Sequence, residues 1–272
     1  MNFELLEQAK ERVPSIPVLV NMCSLRVKQI NQGMRPLVKP GAGEETIDTV
    51  LREIAEGKLV SQVDFEALEH TIRSQRVRLF LFCNPHNPTG RVWTEQELHT
   101  IADICRRNDV IVVSDEIHSD FIHPQLGRRF VPFGPIAEEA GCQWVVTSAP
   151  NKAFNIAGLQ TAYIVTPSEK FRQLIDRALN DNETCDINVF ASVALQAAYS
   201  PEGAEWLDQL IAYIFTGYHL FRQQMKSSLS QLPLARLEGT YLAWLDVTGV
   251  GRPSEEMASI LRSDYHVWVS PG

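Results

Sequence analysis

The 272-residue sequence lacks several things. No apolar run approaches the roughly 18 residues that a membrane helix needs. There is no excess of positive charge: 25 Lys and Arg stand against 33 Asp and Glu, a net charge of −8, with an isoelectric point near 5.4. Such a chain is a poor general binder of nucleic acid or of an anionic membrane surface, so neither partner is expected. There is no C-x-x-C pair, and the five cysteines (Cys23, Cys83, Cys105, Cys142 and Cys185) are odd in number. That excludes a zinc ribbon and argues against a disulfide framework. Several cysteines lie inside apolar patterns, where a free thiol acts as a small hydrophobe, and a reducing, cytoplasmic setting follows. The start, Met1 to Lys10, has a charged helical pattern and not that of a signal peptide. No internal repeat or low-complexity tract is visible. What remains is ordinary globular composition, 44% hydrophobic and 21% charged, in a length that suits one large or two modest domains.

The middle of the chain alternates strand and helix. Val77 to Cys83 is a short apolar run, as in a buried parallel strand. A turn rich in Pro and Asn follows, from Asn84 to Gly90. Thr94, three residues before Glu97, is a capping-box signature, and Leu98, Ile101, Ala102 and Cys105 repeat at helical spacing. Val110 to Val113 is the next strand. Strand, helix, strand makes a βαβ unit with a right-handed crossover, hence a parallel sheet. Trp144 to Thr147 and Ala162 to Val165 are further strands. Thr166 to Glu169 reads as a capping box with Pro167 at the first helical position, opening a helix with the stripe Phe171, Leu174, Ile175, Ala178 and Leu179. Two helices, broken near Ser200-Pro201, span Asn188 to about Leu229. Tyr241 to Leu245 and Val267 to Val269 are strand candidates, and Ser254 to Leu261 a short helix. Earlier, Glu44 to Ala55 is a helix candidate stopped by Gly57, and Val18 to Leu25 a strand candidate. The fold class expected is α/β: a mostly parallel sheet with helices on both faces, plus an incomplete α+β small domain. The expected domains are 1–200 and 201–272.

In parallel α/β sheets, ligands bind beyond the carboxyl ends of the strands. Three polar clusters lie there: Asn84-Pro85-His86-Asn87-Pro88-Thr89-Gly90, Ser114-Asp115-Glu116-Ile117-His118, and Ser148-Ala149-Pro150-Asn151-Lys152. Asn87, Asp115 and Lys152 can each reach one crevice from a different strand. Taken singly they are bland: a turn former, a helix-start acid and a solvated charge. Together, an amide, a carboxylate and a lysine suit pyridoxal 5'-phosphate. The lysine amine condenses with the aldehyde, the carboxylate keeps the pyridine nitrogen protonated, and the amide donates to the phenolic oxygen. A rival from another class is a metal hydrolase built on Asp115, Glu116, His118, Asp120 and His123, although H-E-x-x-H is absent. A third reading is a non-catalytic protein on the same fold. His86 reads as structural, and Tyr241 and Trp244 as core.

The motifs N-P-H-N-P-T-G-R-V-W, V-S-D-E-I-H-S-D and N-K-A-F-N-I-A-G-L, with G-T-Y-L-A-W-L-D later, resemble the fold-type I aminotransferase superfamily. In detail they are similar to its MalY/PatB-type branch, the cystathionine β-lyase-like carbon–sulfur lyases. The resemblance runs from about Asp64 to Gly272. It implies that Lys152 is the catalytic lysine and general base, that Asp115 binds the pyridine nitrogen and Asn87 the phenolic oxygen, that His118 lies near that oxygen, and that Ser148 contacts the phosphate. The activity implied is β-elimination on cystathionine or a cysteine S-conjugate, giving a thiol, pyruvate and ammonia. An aminotransferase of the same fold is the alternative. A small amino-acid substrate and a homodimer are the partners implied. Asn151 replaces a Ser usual in the family, and Val20 to Ser24 stands where a Tyr is usual. A Gly-rich phosphate-binding helix start is expected before Met1 and a carboxylate-binding arginine after Gly272. On this reading the chain is truncated at both ends and impaired in binding.

Overall fold

The computed structural model describes residues 2–271 apart from 14–15, 32, 42, 57, 59–63, 230–231, 233 and 248–249. The chain divides into two compact units. One comprises Met1–Val63, Leu220–Arg236 and Trp244–Gly272, the other Asp64–His219 and Leu237–Ala243. The sequence-based cut after residue 200 falls between α8 (Ala191–Ala198) and α9 (Pro201–Ser228), and the division between the units falls inside α9.

The first unit holds α1 (Phe3–Arg12), α2 (Ile16–Asn31) and α3 (Thr46–Ala55) around Ala9, Val13, Leu19, Cys23, Val50, Leu51 and Ile54. The strand expected over Val18 to Leu25 is instead part of α2. Leu19, Cys23 and Arg26 are buried at helical spacing, whereas Val20 is 57% exposed, so the period is 3.6 and not 2. Arg26 is held by Glu53, with Nε 2.7 Å and Nη2 3.3 Å from its carboxylate. Glu53 also accepts from the Leu37 backbone N–H at 2.7 Å. The expected stop of α3, Gly57, lies outside the described residues. Ser254 does open a helix, α10 (Ser254–Tyr265). The strands expected over Tyr241 to Leu245 and Val267 to Val269 are absent. Among the described residues neither stretch joins a ladder: Leu245 makes only an isolated bridge to Leu234, and Val267 to Val269 makes none. A β-rich composition without a neighbouring strand makes no sheet.

The second unit carries the sheet: β1 (Leu79–Cys83), β2 (Ile111–Asp115), β3 (Trp144–Ser148) and β4 (Tyr163–Val165), in that spatial order. The first three are parallel and β4 is antiparallel to β3. The helices α4 (Phe65–Ser74), α5 (Glu95–Arg107) and α6 (Phe133–Ala140) pack on one face. Their core joins Phe82, Val112, Trp144 and Val146 from the strands to Leu98, Ile101, Cys105, Phe133 and Ile136. Burial pushes the Cys105 thiol up to about 12 and Cys142 to about 11, so both stay as neutral core hydrophobes. On the opposite face of β1, Leu79 and Leu81 are 55% and 66% exposed. The capping box is formed in full, with Thr94 Oγ1 accepting from Glu97 N and Glu97 accepting from Thr94 N. The next cap is shifted. Ser168, not Thr166, caps α7 (Glu169–Asp181), because the Thr166 hydroxyl donates to the Trp144 carbonyl at 2.8 Å.

Candidate active site

The carboxyl ends of the three parallel strands lie in one row. Cys83 pairs with Asp115, and Asp115 with Thr147. This register brings the three polar clusters side by side within the second unit.

After β1 the chain turns sharply. His86 and Arg91 form a bridge, and the His86 Nδ1 lies 2.8 Å from Thr89 Oγ1, so His86 holds the turn as expected. Gly90 sits at φ +72°. A Cβ there would meet Leu237 Cδ1 at 2.7 Å and the Gly239 carbonyl at 2.8 Å, so the close approach and the left-handed backbone both demand glycine. Asn84 is buried and donates its side-chain amide to the Val131 carbonyl. Asn87 stands at the tip with its side chain exposed. Its backbone N–H is bonded to the Cys83 thiol, which burial and the Asp115 charge push up and that hydrogen bond pulls back.

Asp115 closes β2, half-buried. Its Oδ1 accepts from the Ile117 N–H at 3.1 Å, and it forms no ion pair among the described residues. Glu116 turns the other way, accepting from Ser114 Oγ at 3.0 Å and Phe133 N at 2.9 Å. Burial raises its carboxyl above the usual range. It is a structural group. His118 is 3% exposed. Burial lowers its imidazole below the ordinary value, the Asp115 charge opposes this, and the Lys152 charge adds to it. Both charges therefore reach one buried ring. His118 Nδ1 is buried and has no hydrogen-bond partner among the described residues.

Ser148 ends β3, buried, with its hydroxyl donating to the Glu116 carbonyl at 3.2 Å. Lys152 follows in a tight turn closed by Phe154 N to Pro150 O at 2.9 Å. Ala153 beside it is fully buried, while the Lys152 side chain is exposed and forms no ion pair among the described residues. Asn87, Asp115, His118 and Lys152 thus share one neighbourhood, while the Ser148 hydroxyl proton is committed to the backbone.

The metal reading finds no support. Among the described residues no three His, Cys, Asp or Glu side chains gather as a ligand set. Of the five residues it invoked, Glu116 points into the core and His123 packs at 3.5 Å on the Phe215 ring. Two neighbours of the site were not singled out in the sequence. Cys83 is one. The other is Tyr241, read there as core, whose ring lies 5.5 Å from His118 and 5.1 Å from Phe121. Nothing in its local pattern tells a core aromatic from one at the rim of a site.

A family model described as aminotransferase class I and II matches residues 53–272. The cystathionine beta-lyase PatB of Bacillus subtilis is 36% identical over 210 residues, covering 77% of this chain and 54% of that protein. The protein MalY of Escherichia coli is 32% identical over 210 residues, covering 77% and 52%. Among solved structures, cystalysin from Treponema denticola, which contains a pyridoxal 5'-phosphate cofactor, superposes with a TM-score of 0.71 at 28% identity, covering 76% of this chain and 52% of that one. The pyridoxal-phosphate-bound C-S lyase from Staphylococcus hominis gives 0.68 at 27% identity, covering 82% and 60%. The chain spans about half the length of the relatives it matches.

Proposed function

Because the chain belongs to the aminotransferase class I and II family, we propose that it acts as a pyridoxal-phosphate-dependent carbon–sulfur β-lyase on cystathionine or a related cysteine S-conjugate. The observation that carries this reading is the row of strand ends: a carboxylate at Asp115 and an amine at Lys152, neither with an ion-pair partner among the described residues, both felt by the buried ring of His118. The residues fit the group. Among the described residues, a half-buried carboxylate with no cationic partner suits a protonated pyridine nitrogen, and an exposed lysine with no counter-ion suits an aldehyde.

When bound, pyridoxal 5'-phosphate supplies an electron sink for the pair left at the substrate Cα. Asp115 holds the pyridine nitrogen in its protonated form. Asn87 offers its exposed side-chain amide to the phenolic oxygen. His118 would lie near that oxygen and, its imidazole lowered by burial, would add no charge of its own. Lys152 Nζ takes the proton from the substrate Cα, and its exposed position lets it swing between cofactor and substrate. Ser148 fixes the Glu116 carbonyl, holding the ends of β2 and β3 in register. Its assignment to the phosphate, whose oxygens accept, requires the hydroxyl proton to leave that carbonyl and turn to the phosphate.

The names of the similar proteins favour elimination over transamination. We further propose a homodimer, a cytoplasmic location and a small amino-acid substrate as the partner. No helix among the described residues is long and apolar enough to cross a membrane. The test is pyruvate release from cystathionine with pyridoxal phosphate and no keto-acid acceptor. A lyase releases pyruvate and thiol in equal amounts. Turnover that appears only when a keto acid is added would assign an aminotransferase instead.

A further inference from the structure

We propose that Tyr241 is a positioning residue for His118, clamping the imidazole so that Nε2 carries the ring proton and faces the cofactor. The inference rests on the role given to His118 above.

Three observations carry it. The Tyr241 ring meets His118 edge-on, with centroids 5.5 Å apart and planes at 63°. Tyr241 is itself backed by Phe121 at 5.1 Å and 79°. The backbone ties the two together: Thr240 N donates to Phe121 O at 2.9 Å, Ile122 bridges Gly239, and a Cβ on Gly239 would meet Phe121 O at 2.9 Å. The Tyr241 ring is thus set by main-chain pairing. Its hydroxyl makes no hydrogen bond among the described residues, and the side chain stays 38% exposed. Tyr241 therefore borders the site while its ring does structural duty on His118.

The tautomer follows from the orphaned nitrogen. His118 Nδ1 is buried without a partner among the described residues. An orphaned buried N–H is rarer in folded proteins than an orphaned acceptor. The single proton of a neutral imidazole then belongs on Nε2, which makes that nitrogen a donor toward an anionic oxygen. Freed from Tyr241, the ring can turn, expose Nδ1 to water and lose the preference.

The test uses the 272-residue chain with 15N-labelled histidine, first without cofactor. The parent and Tyr241→Phe are expected to show His118 as the Nε2–H tautomer, titrating below the ordinary value of 6.5. Tyr241→Leu keeps apolar bulk but removes the ring edge. It is expected to give mixed tautomers and a midpoint moved up toward 6.5. With pyridoxal phosphate added, Tyr241→Leu should bind roughly tenfold more weakly, the scale on which orienting partners usually act, and Tyr241→Phe as the parent does. Should Tyr241→Leu fail to fold, Phe121→Leu, which removes the backing ring, carries the same expectation. A leucine variant that keeps the parental tautomer and midpoint overturns the inference. A tautomer shift in a chain whose parent binds no pyridoxal phosphate would leave the clamp standing and overturn the proposed function.

Discussion

Asp115 is a carboxylate without an ion-pair partner among the described residues, and its chemistry is the most exposed to test. Its one side-chain hydrogen bond among the described residues, from Ile117 N, leaves most of its acceptor capacity unused. Asp115→Asn keeps the shape and removes the charge. Loss of a charge-assisted contact of roughly 1.5–3 kcal/mol should weaken pyridoxal phosphate binding about ten- to a hundredfold, and lyase turnover should fall with it. A cofactor titration followed by absorbance measures the first. Near-parental affinity would make Asp115 only a cap for Ile117. At this scale the nearness of Asn87, Asp115 and Lys152 was legible because each stands at or after the carboxyl end of an unmistakable strand, and parallel strands deliver their ends to one edge. Tyr241 was not, because its partners Phe121 and His118 come from a segment distant in sequence, brought to it by the isolated bridge between Ile122 and Gly239. The Ser148 hydroxyl likewise shows its partner, the Glu116 carbonyl, only once two strands are aligned.

Elements with a local signal read well. Thr94 and Glu97 announce α5, and both halves of the box are made. Thr94→Ala should cost about 1 kcal/mol in urea unfolding, since a buried-face helix loses its cap but not its packing. Gly90→Ala should cost more, about 2 kcal/mol, from the positive φ and the collision with Leu237 and the Gly239 carbonyl. If both variants unfold with the parent, neither turn nor cap limits this unit. The misread elements share a cause. Thr166 looked like a cap until β3 offered its hydroxyl a carbonyl. Tyr241 to Leu245 and Val267 to Val269 have strand composition but no strand beside them among the described residues. The segment Val18 to Leu25 is apolar enough for a strand, and only the burial of Leu19, Cys23 and Arg26 shows its period.

For the whole molecule, the βαβ succession made the second unit legible in advance, whereas in the first unit the helical patterns of α1, α3 and α10 were legible and α2, from the least patterned stretch, reads as a strand. The first unit's stability is tied to Arg26 and Glu53: Arg26→Met should destabilise it by about 3–5 kcal/mol by leaving Glu53 charged and buried. The second unit should respond to pH through His86 and His118, both pushed by burial below the ordinary 6.5. Between the folded and ordinary values the unfolded chain binds more protons at these two rings, so their contribution to stability is complete above 6.5 and falls as pH drops below it. Thermal unfolding between pH 8 and pH 5 should show that loss, and His118→Gln should flatten it in part. A profile unchanged by His118→Gln would mean that its ring stays as accessible to protons folded as unfolded. The central claim, that this chain engages pyridoxal phosphate through Lys152, has one direct measurement. The 272-residue chain is loaded with pyridoxal phosphate, reduced with borohydride, digested and mapped by mass spectrometry. The account predicts one dominant pyridoxyl adduct on the peptide carrying Lys152, absent in Lys152→Ala. Label spread over the surface lysines, or unchanged by Lys152→Ala, would contradict it.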